Sequence, residues 1–339
     1  MFSVISKCTP SLFMFVTYVM RMLRICEAGQ YRPCIKMTQG YRLGPCERMR
    51  AARSCKGIRM KIGISAFAWT SNFKPSHLKL LPAMKELGLD GVEIPMFDPA
   101  KLPIESIREA FVKNQLECTV CAILPAGINP ISPHRETRQR AIEHLERCIQ
   151  TATAMGAKLL GGPLFAPIGY LPEHRATEDE WSRAVEVFEA LEDVLAATNL
   201  PISIEPVNRS ETFFVRTAEE AARLCSLIGD PHIGVTIDTF HANIEERSIC
   251  GAIRSLGPNL SHIHASENDR GPLGRGHMPF PEIISTLRKM DYEGYVMIEG
   301  FGYTADEKES PGYLWAYRDV SPERLALESY QYLTGLMAS

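Results

Sequence analysis

From Lys61 onward, short β-branched runs alternate with longer segments whose apolar residues recur at helical spacing. A strand turns alternate residues to one face and a helix every third or fourth, so this change of period marks βα units on a parallel sheet. Strands are predicted at 61–66, 91–95, 117–123, 158–162, 202–207, 233–238, 260–265 and 294–299, each followed by a helical pattern. The stretch ATEDEWSRAVEVFEALEDVLAAT is representative. It predicts one helix with Trp181, Val185, Phe188, Leu191 and Val194 or Leu195 on its inner face. Eight repeats over the 280 residues from Met60 to Ser339 average 35 each. That suits a (β/α)8 barrel of about 250 residues with modest insertions, whereas doubly wound sheets usually stop at fewer strands. The expected fold is a closed α/β barrel over 60–339.

Residues 1–59 lack this periodicity and differ in charge. They hold 11 Lys and Arg against 2 Asp and Glu, or +9, leaving 26 against 38, or −12, for the remainder of a chain whose net charge is −3. Their one apolar run, SLFMFVTYVM, is too short to span a bilayer. It has the length of a signal h-region without a convincing small-residue cleavage site, and the Arg-rich, acid-poor composition is that of a transit peptide. The simpler reading is an N-terminal extension outside the fold, with Met60 directly before the first strand. The acidic main body gives no electrostatic reason to bind nucleic acid or an anionic membrane.

Five of the ten cysteines (8, 26, 34, 46 and 55) fall in that extension at spacings that match no zinc or disulfide framework. Cys118 and Cys121 form a CxxC, but LECTVCAIL reads as a buried strand, so both are expected in the core. A reducing, cytoplasmic setting suits this usage.

In such a barrel the functional side chains come from the C-terminal ends of strands and the loops after them. The last four strands end in ISIEPVNRSE, VTIDTFHANIEE, SHIHASENDR and YVMIEGF, each offering one metal-ligand candidate: Glu205, Asp238, His264 and Glu299. Their separations of 33, 26 and 35 residues are about one βα unit each, so the four side chains are expected to converge at the barrel mouth. Three carboxylates and an imidazole suit Mn²⁺, with Co²⁺ or Mg²⁺ as alternatives, better than a thiolate-seeking ion.

The motifs IEPVNRSE, IDTFHANIEE, HIHASENDRG, GRGHMPF and YVMIEGF, with YRDVS nearer the end, resemble those of the ketose 3-epimerases. That group acts on D-tagatose, D-allulose (psicose) and L-ribulose within the xylose isomerase-like TIM barrels, and the resemblance covers about 60–339. It implies that Glu205, Asp238, His264 and Glu299 hold the metal, with Glu205 and Glu299 as the acid/base pair. It also implies that Glu211, His241 and Arg270 hold the O1 to O3 end of the sugar. His262 inherits no such role and is expected to pack or to support its neighbours. This chain has Ser210 where the group usually has an aromatic residue, Gly300 where proline is commoner, and the small Ser65 and Ala66 where a bulky pocket ring is expected. Those departures bear on substrate shape more than on chemistry.

Among other residues, Trp69 is expected either to line the pocket or to close the barrel, and Glu93 either to touch the site or to fix a neighbour. Gly161 and Gly162 are read as letting backbone approach the ligand, and His134, His144, His174 and His232 as solvated. A phosphorylated substrate stays open, because RGPLGRGHM is glycine-rich and basic where barrels often hold phosphate. The closest rivals are an aldose-ketose isomerase acting on hydroxypyruvate or a pentose, and a dehydratase acting on a keto-inositol. A zinc endonuclease on the same barrel needs histidines at the ends of strands two and three, and VEIPMFD and VCAILPAG supply none. A non-catalytic sugar binder would not need two opposed carboxylates. The partners expected are a small sugar and further copies of this chain, as a dimer or tetramer.

Overall fold

Runs rich in Ile, Val and Cys form eight strands: β1 (Lys61–Ser65), β2 (Gly91–Met96), β3 (Glu117–Ala122), β4 (Leu160–Gly162), β5 (Ile202–Ile204), β6 (Ile233–Asp238), β7 (Leu260–Ala265) and β8 (Tyr295–Ile298). In this computed structural model, which describes residues 60–301 and 320–338, all neighbours pair in parallel and β8 returns to β1, closing the barrel. Each predicted strand is present, and its bounds agree with the sequence pattern to within three residues. The extension 1–59, with its apolar run and five cysteines, lies outside the described residues, as does most of YRDVS.

Ten α-helices are described around the strands: α1 (Leu81–Leu87), α2 (Ile104–Asn114), α3 (Arg135–Ala154), α4 (Glu178–Glu189), α5 (Glu192–Thr198), α6 (Ala218–Ile228), α7 (Thr239–Glu245), α8 (Ile249–Leu256), α9 (Phe280–Lys289) and α10 (Pro322–Ala338). The start of α4 follows from its sequence. The Thr177 hydroxyl accepts from the Glu180 N–H, and the Glu180 carboxylate accepts from the Thr177 N–H, so two otherwise unpaired donors are satisfied reciprocally. Thr217 and Glu220 repeat the device on α6.

The single helix expected over 176–198 is two. At its end the Leu191 N–H reaches back to Phe188 O, a tighter turn than an α-helix makes, and α5 then restarts with Leu195 bonded to Leu191. Leu191 and Leu195 are both buried, and within α4 Val187 is buried, one turn on from Ala184, where the pattern favoured Val185. The α4 face also carries Trp181 and Phe188. The Trp181 ring lies 4.6 Å from that of Phe214, and each such burial contributes roughly 3 kcal/mol.

Two other expectations change for packing reasons. His144 is 6% exposed, because it falls on the α3 stripe of Ala141, Leu145, Cys148 and Ile149 rather than on the wet face. Gly162 adopts φ +128°, and a Cβ there would lie 2.1 Å from Ala122 O. The glycine is thus required by the approach of β3 backbone, not by a ligand. His134 and His174 are exposed, while His232 is half-buried between Asp230 and Asn199. Cys118 and Cys121 are buried free thiols three apart on a strand, on opposite faces, so they do not form a redox pair. No described helix is long and apolar enough to cross a membrane.

Candidate metal centre and acid/base pair

Glu205 and Glu299 follow directly on β5 and β8, and each continues its ladder by one bond: the Glu205 N–H donates to Gly162 O and the Glu299 N–H to Ala265 O. Asp238 ends β6 and His264 lies opposite it on β7. Four adjacent strands of a closed ring therefore aim four side chains at one point. All four are buried, and one donor atom from each lies within 4.8 Å of every other.

Asp238 divides its oxygens. Oδ1 accepts the Phe240 N–H at 2.8 Å, capping α7, while Oδ2 faces the site and accepts from Arg270 Nη1 at 2.6 Å. That nitrogen also donates to Glu299 Oε2 at 2.6 Å and to Ser266 Oγ at 2.7 Å. The guanidinium lies over the Phe240 ring at 4.2 Å. Its other nitrogen, Nη2, is 3.2 Å from His241 Nε2. On the far side of that imidazole, Nδ1 lies 2.9 Å from Asn208 Nδ2, which also donates to Glu211 Oε1 at 2.8 Å. Glu211, His241 and Arg270 thus form one chain of contacts, joined by Asn208, which the sequence reading did not single out although it lies inside the IEPVNRSE motif.

His264 turns Nδ1 toward Glu205 Oε1 at 3.0 Å and Glu299 Oε2 at 3.7 Å, and Nε2 toward Glu93, 3.1 Å from Oε1. Glu93 does not line the cavity. It is fully buried beneath His264, with His262 Nε2 3.3 Å from its Oε2 and the Thr119 hydroxyl donating to it. Burial alone would raise the Glu93 carboxyl, but His264 and His262 hold it well below the usual carboxylate range. Such a carboxylate fixes which nitrogen of His264 is free to bind and orients the ring.

Charge decides what the cluster can hold. Asp238 and Glu299 pair with one guanidinium, Glu205 lies beside them, and Glu93 is a fourth buried carboxylate behind His264. Burial, with Asp238 and Glu205 adding to it, pushes the Glu299 carboxyl up despite the pull of Arg270 and His264. Burial works against a charged His264, yet Glu93, Glu205 and Glu299 raise it well above the ordinary histidine value. The pocket is short of positive charge, and a divalent cation with oxygen preference fits both that deficit and the donor set. Replacing Glu93 by glutamine is expected to weaken metal binding about 10- to 100-fold while leaving the ligands themselves in place. Metal titration of the folded variant measures this.

The cluster opens into a cavity of about 550 Å³. Its lining includes the polar Glu205, Glu211, His241, Asp269, Arg270 and Glu299 and the apolar Phe67, Phe97, Ile123, Ile168 and Phe301. The bulky ring sought at Ser65 or Ala66 is Phe67: Ser65 Oγ accepts its N–H at the start of a short 3-10 helix. The Phe67 ring meets Phe97 and Phe301 edge-on at 6.2 and 6.1 Å. Trp69 is not on the cavity wall and instead donates its indole N–H to Glu323 on α10, closing the barrel end. The basic loop after β7 is engaged internally. Arg275 pairs with Glu328, and the N–H groups of Gly274 and Met278 donate to Glu267.

Residues 81–334 match the xylose isomerase-like TIM barrel family. A probable ketose 3-epimerase of Synechocystis is 30% identical over 280 residues, covering 81% of this chain and 96% of its own. The solved L-ribulose 3-epimerase superposes with a TM-score of 0.77 at 26% identity, covering 83% and 95% of the two chains. The D-psicose 3-epimerase of Clostridium cellulolyticum, solved with D-tagatose, gives 0.73 at 27% identity, covering 82% and 99%.

Proposed function

This chain belongs to the xylose isomerase-like TIM barrel family, and within it we propose a metal-dependent ketose 3-epimerase that inverts C3 of a free ketose of the D-tagatose, D-allulose (psicose) or L-ribulose type. One observation carries the reading. Glu205 and Glu299 enter one cavity from strands three places apart in a ring of eight, and the strands between them supply Asp238 and His264. Inversion needs a base on one face of C3 and an acid on the other, and carboxylates so placed meet that need.

Glu205, Asp238, His264 and Glu299 would hold a divalent ion, Mn²⁺ before Co²⁺ or Mg²⁺. When bound it would supply a Lewis acid that stabilises the negative charge left when the C3 proton is removed. The remaining work belongs to the chain's own groups. One glutamate takes the C3 proton, the charge passes onto the ketose oxygens, and Arg270 and His241 donate to those oxygens as the charge develops. The second glutamate returns a proton to the opposite face. Reversal of the reaction exchanges their roles. Glu211, held by Asn208, is placed to accept from a sugar hydroxyl. The internal pairing of the loop after β7 favours a free sugar over a phosphorylated one.

Incubating the protein with each of the three ketoses and identifying the product by NMR tests the proposal. The C3 epimer is the expected product, and an aldose from every active substrate would overturn it. The catalytic domain is proposed as 60–339, so a chain beginning at Met60 should give the same product. Arg270→Ala is expected to lower kcat/KM by about 10²-fold or more. Its metal content should not fall, because Arg270 carries no ligand atom and occupies Asp238 Oδ2 and Glu299 Oε2 in the absence of a cation. Loss of metal from the variant would mean that Arg270 holds the ligands in place.

A further inference from the structure

Arg270 reaches the site from a conformation that its own backbone disfavours. Its φ is +60°, in the left-handed region that non-glycine residues rarely occupy, so the surrounding structure must impose it. The Arg270 N–H donates to Glu267 O at 3.0 Å, and Arg270 O accepts the Phe301 N–H at 3.0 Å. The rest of the loop is tied to α10 through Ser329 and Glu328, and within itself by the Glu267 side chain. Glu267 is 0% exposed and is not on the cavity wall. Its carboxylate accepts three backbone N–H groups, from Asn268 at 3.2 Å, Gly274 at 2.9 Å and Met278 at 3.4 Å. Both ends of the segment that carries Arg270 are therefore tied to one anion.

The chain is folded closely around that anion. A Cβ on Gly276 would lie 2.2 Å from Glu267 Oε2 and 2.0 Å from Asn268 Oδ1. Asn268 Oδ1 also accepts the His277 N–H at 3.0 Å. N–H groups brought together from positions 268, 274 and 278 make a cradle for an anion. Here the chain fills it with its own carboxylate.

We infer that Glu267 is a positioning residue for Arg270: its buried carboxylate closes loop 268–278 and so holds the guanidinium against Asp238, Glu299 and the substrate oxygens. Glu267 is on neither the cavity wall nor the ligand cluster, so its effect on turnover passes through the loop it closes, chiefly through Arg270, which pairs with Asp238 and Glu299. The inference rests on the epimerase reading, and a double-mutant cycle separates the two.

Kinetics of Glu267→Ala, Arg270→Ala and the double variant are compared at saturating Mn²⁺, with metal content measured for each. Glu267→Ala should lower kcat/KM by about 10-fold or more, in the same parameter that Arg270→Ala lowers, with metal content unchanged. The double variant should fall within about twofold of Arg270→Ala alone, since a support has nothing left to position. Glu267→Gln retains an acceptor for one N–H, should recover part of the loss, and carries the same cycle if the alanine variant is insoluble. Multiplicative losses in the double variant, loss of metal from Glu267→Ala, or unchanged kinetics would each overturn the inference. A wild-type protein without C3 epimerase activity would fall on the proposed function instead.

Discussion

Glu205→Gln and Glu299→Gln are each expected to lower kcat for C3 inversion by about 10²- to 10⁴-fold, the range for loss of a positioned acid or base. Glutamine keeps the shape and an acceptor oxygen but cannot take or give the proton. Each variant leaves one carboxylate on one face of C3 and nothing to complete the exchange on the other. Wash-out of the C3 proton can therefore outlast inversion in one variant, because removal and return from a single face regenerates the starting ketose. Both residues also belong to the ligand cluster, so the assay is made at saturating metal with occupancy measured. A fully occupied variant that still inverts at the wild-type rate would remove that residue from the acid/base pair.

Exhaustive chelation is expected to abolish turnover, and Mn²⁺ or Co²⁺ to restore it better than Zn²⁺. Three of the four donors are carboxylates and none is a thiolate, which favours an oxygen-seeking ion. The cluster also predicts a stability effect. Four ligands from four strands meet only in the folded barrel, so metal at a thousandfold excess over its Kd stabilises by about 4 kcal/mol. In a domain of this size that raises Tm by roughly 10 °C. Undiminished turnover with metal content confirmed near zero would defeat the account of the cluster.

The barrel and the convergence of its four candidate ligands were legible because both are written locally. A β-branched run ending in an acid or histidine places that side chain at a strand end, and a repeat of about one βα unit brings the ends together. Glu205, Asp238, His264 and Glu299 needed only that rule. What the linear pattern did not carry depends on contacts between segments far apart in sequence. Glu93 reads from the sequence as a strand-end carboxylate like the others. It serves His264 because β2 faces β7 across the barrel interior. Phe67 supplies the ring expected at Ser65 or Ala66 because a short 3-10 helix, capped by Ser65, carries the chain one or two residues further before the ring turns in. Trp69 was divided between two roles until α10 supplied Glu323 as its partner. Glu267 was invisible as more than another acid in HIHASENDRG, since its partners Gly274 and Met278 are recognised only when the loop closes.

The central claim is proton transfer at C3 by two glutamates, and reaction in D₂O tests it most directly. If Glu205 and Glu299 exchange the protons they carry with solvent between turnovers, the product ketose acquires deuterium at C3, read as loss of the C3 proton signal by NMR. An aldose-ketose isomerase working through an enediol would label C1 or C2, and one using a hydride shift would incorporate none. Deuterium at C3 of an epimerised ketose is the predicted result; an inverted product with no label at C3, or label only at C1 or C2, would contradict it.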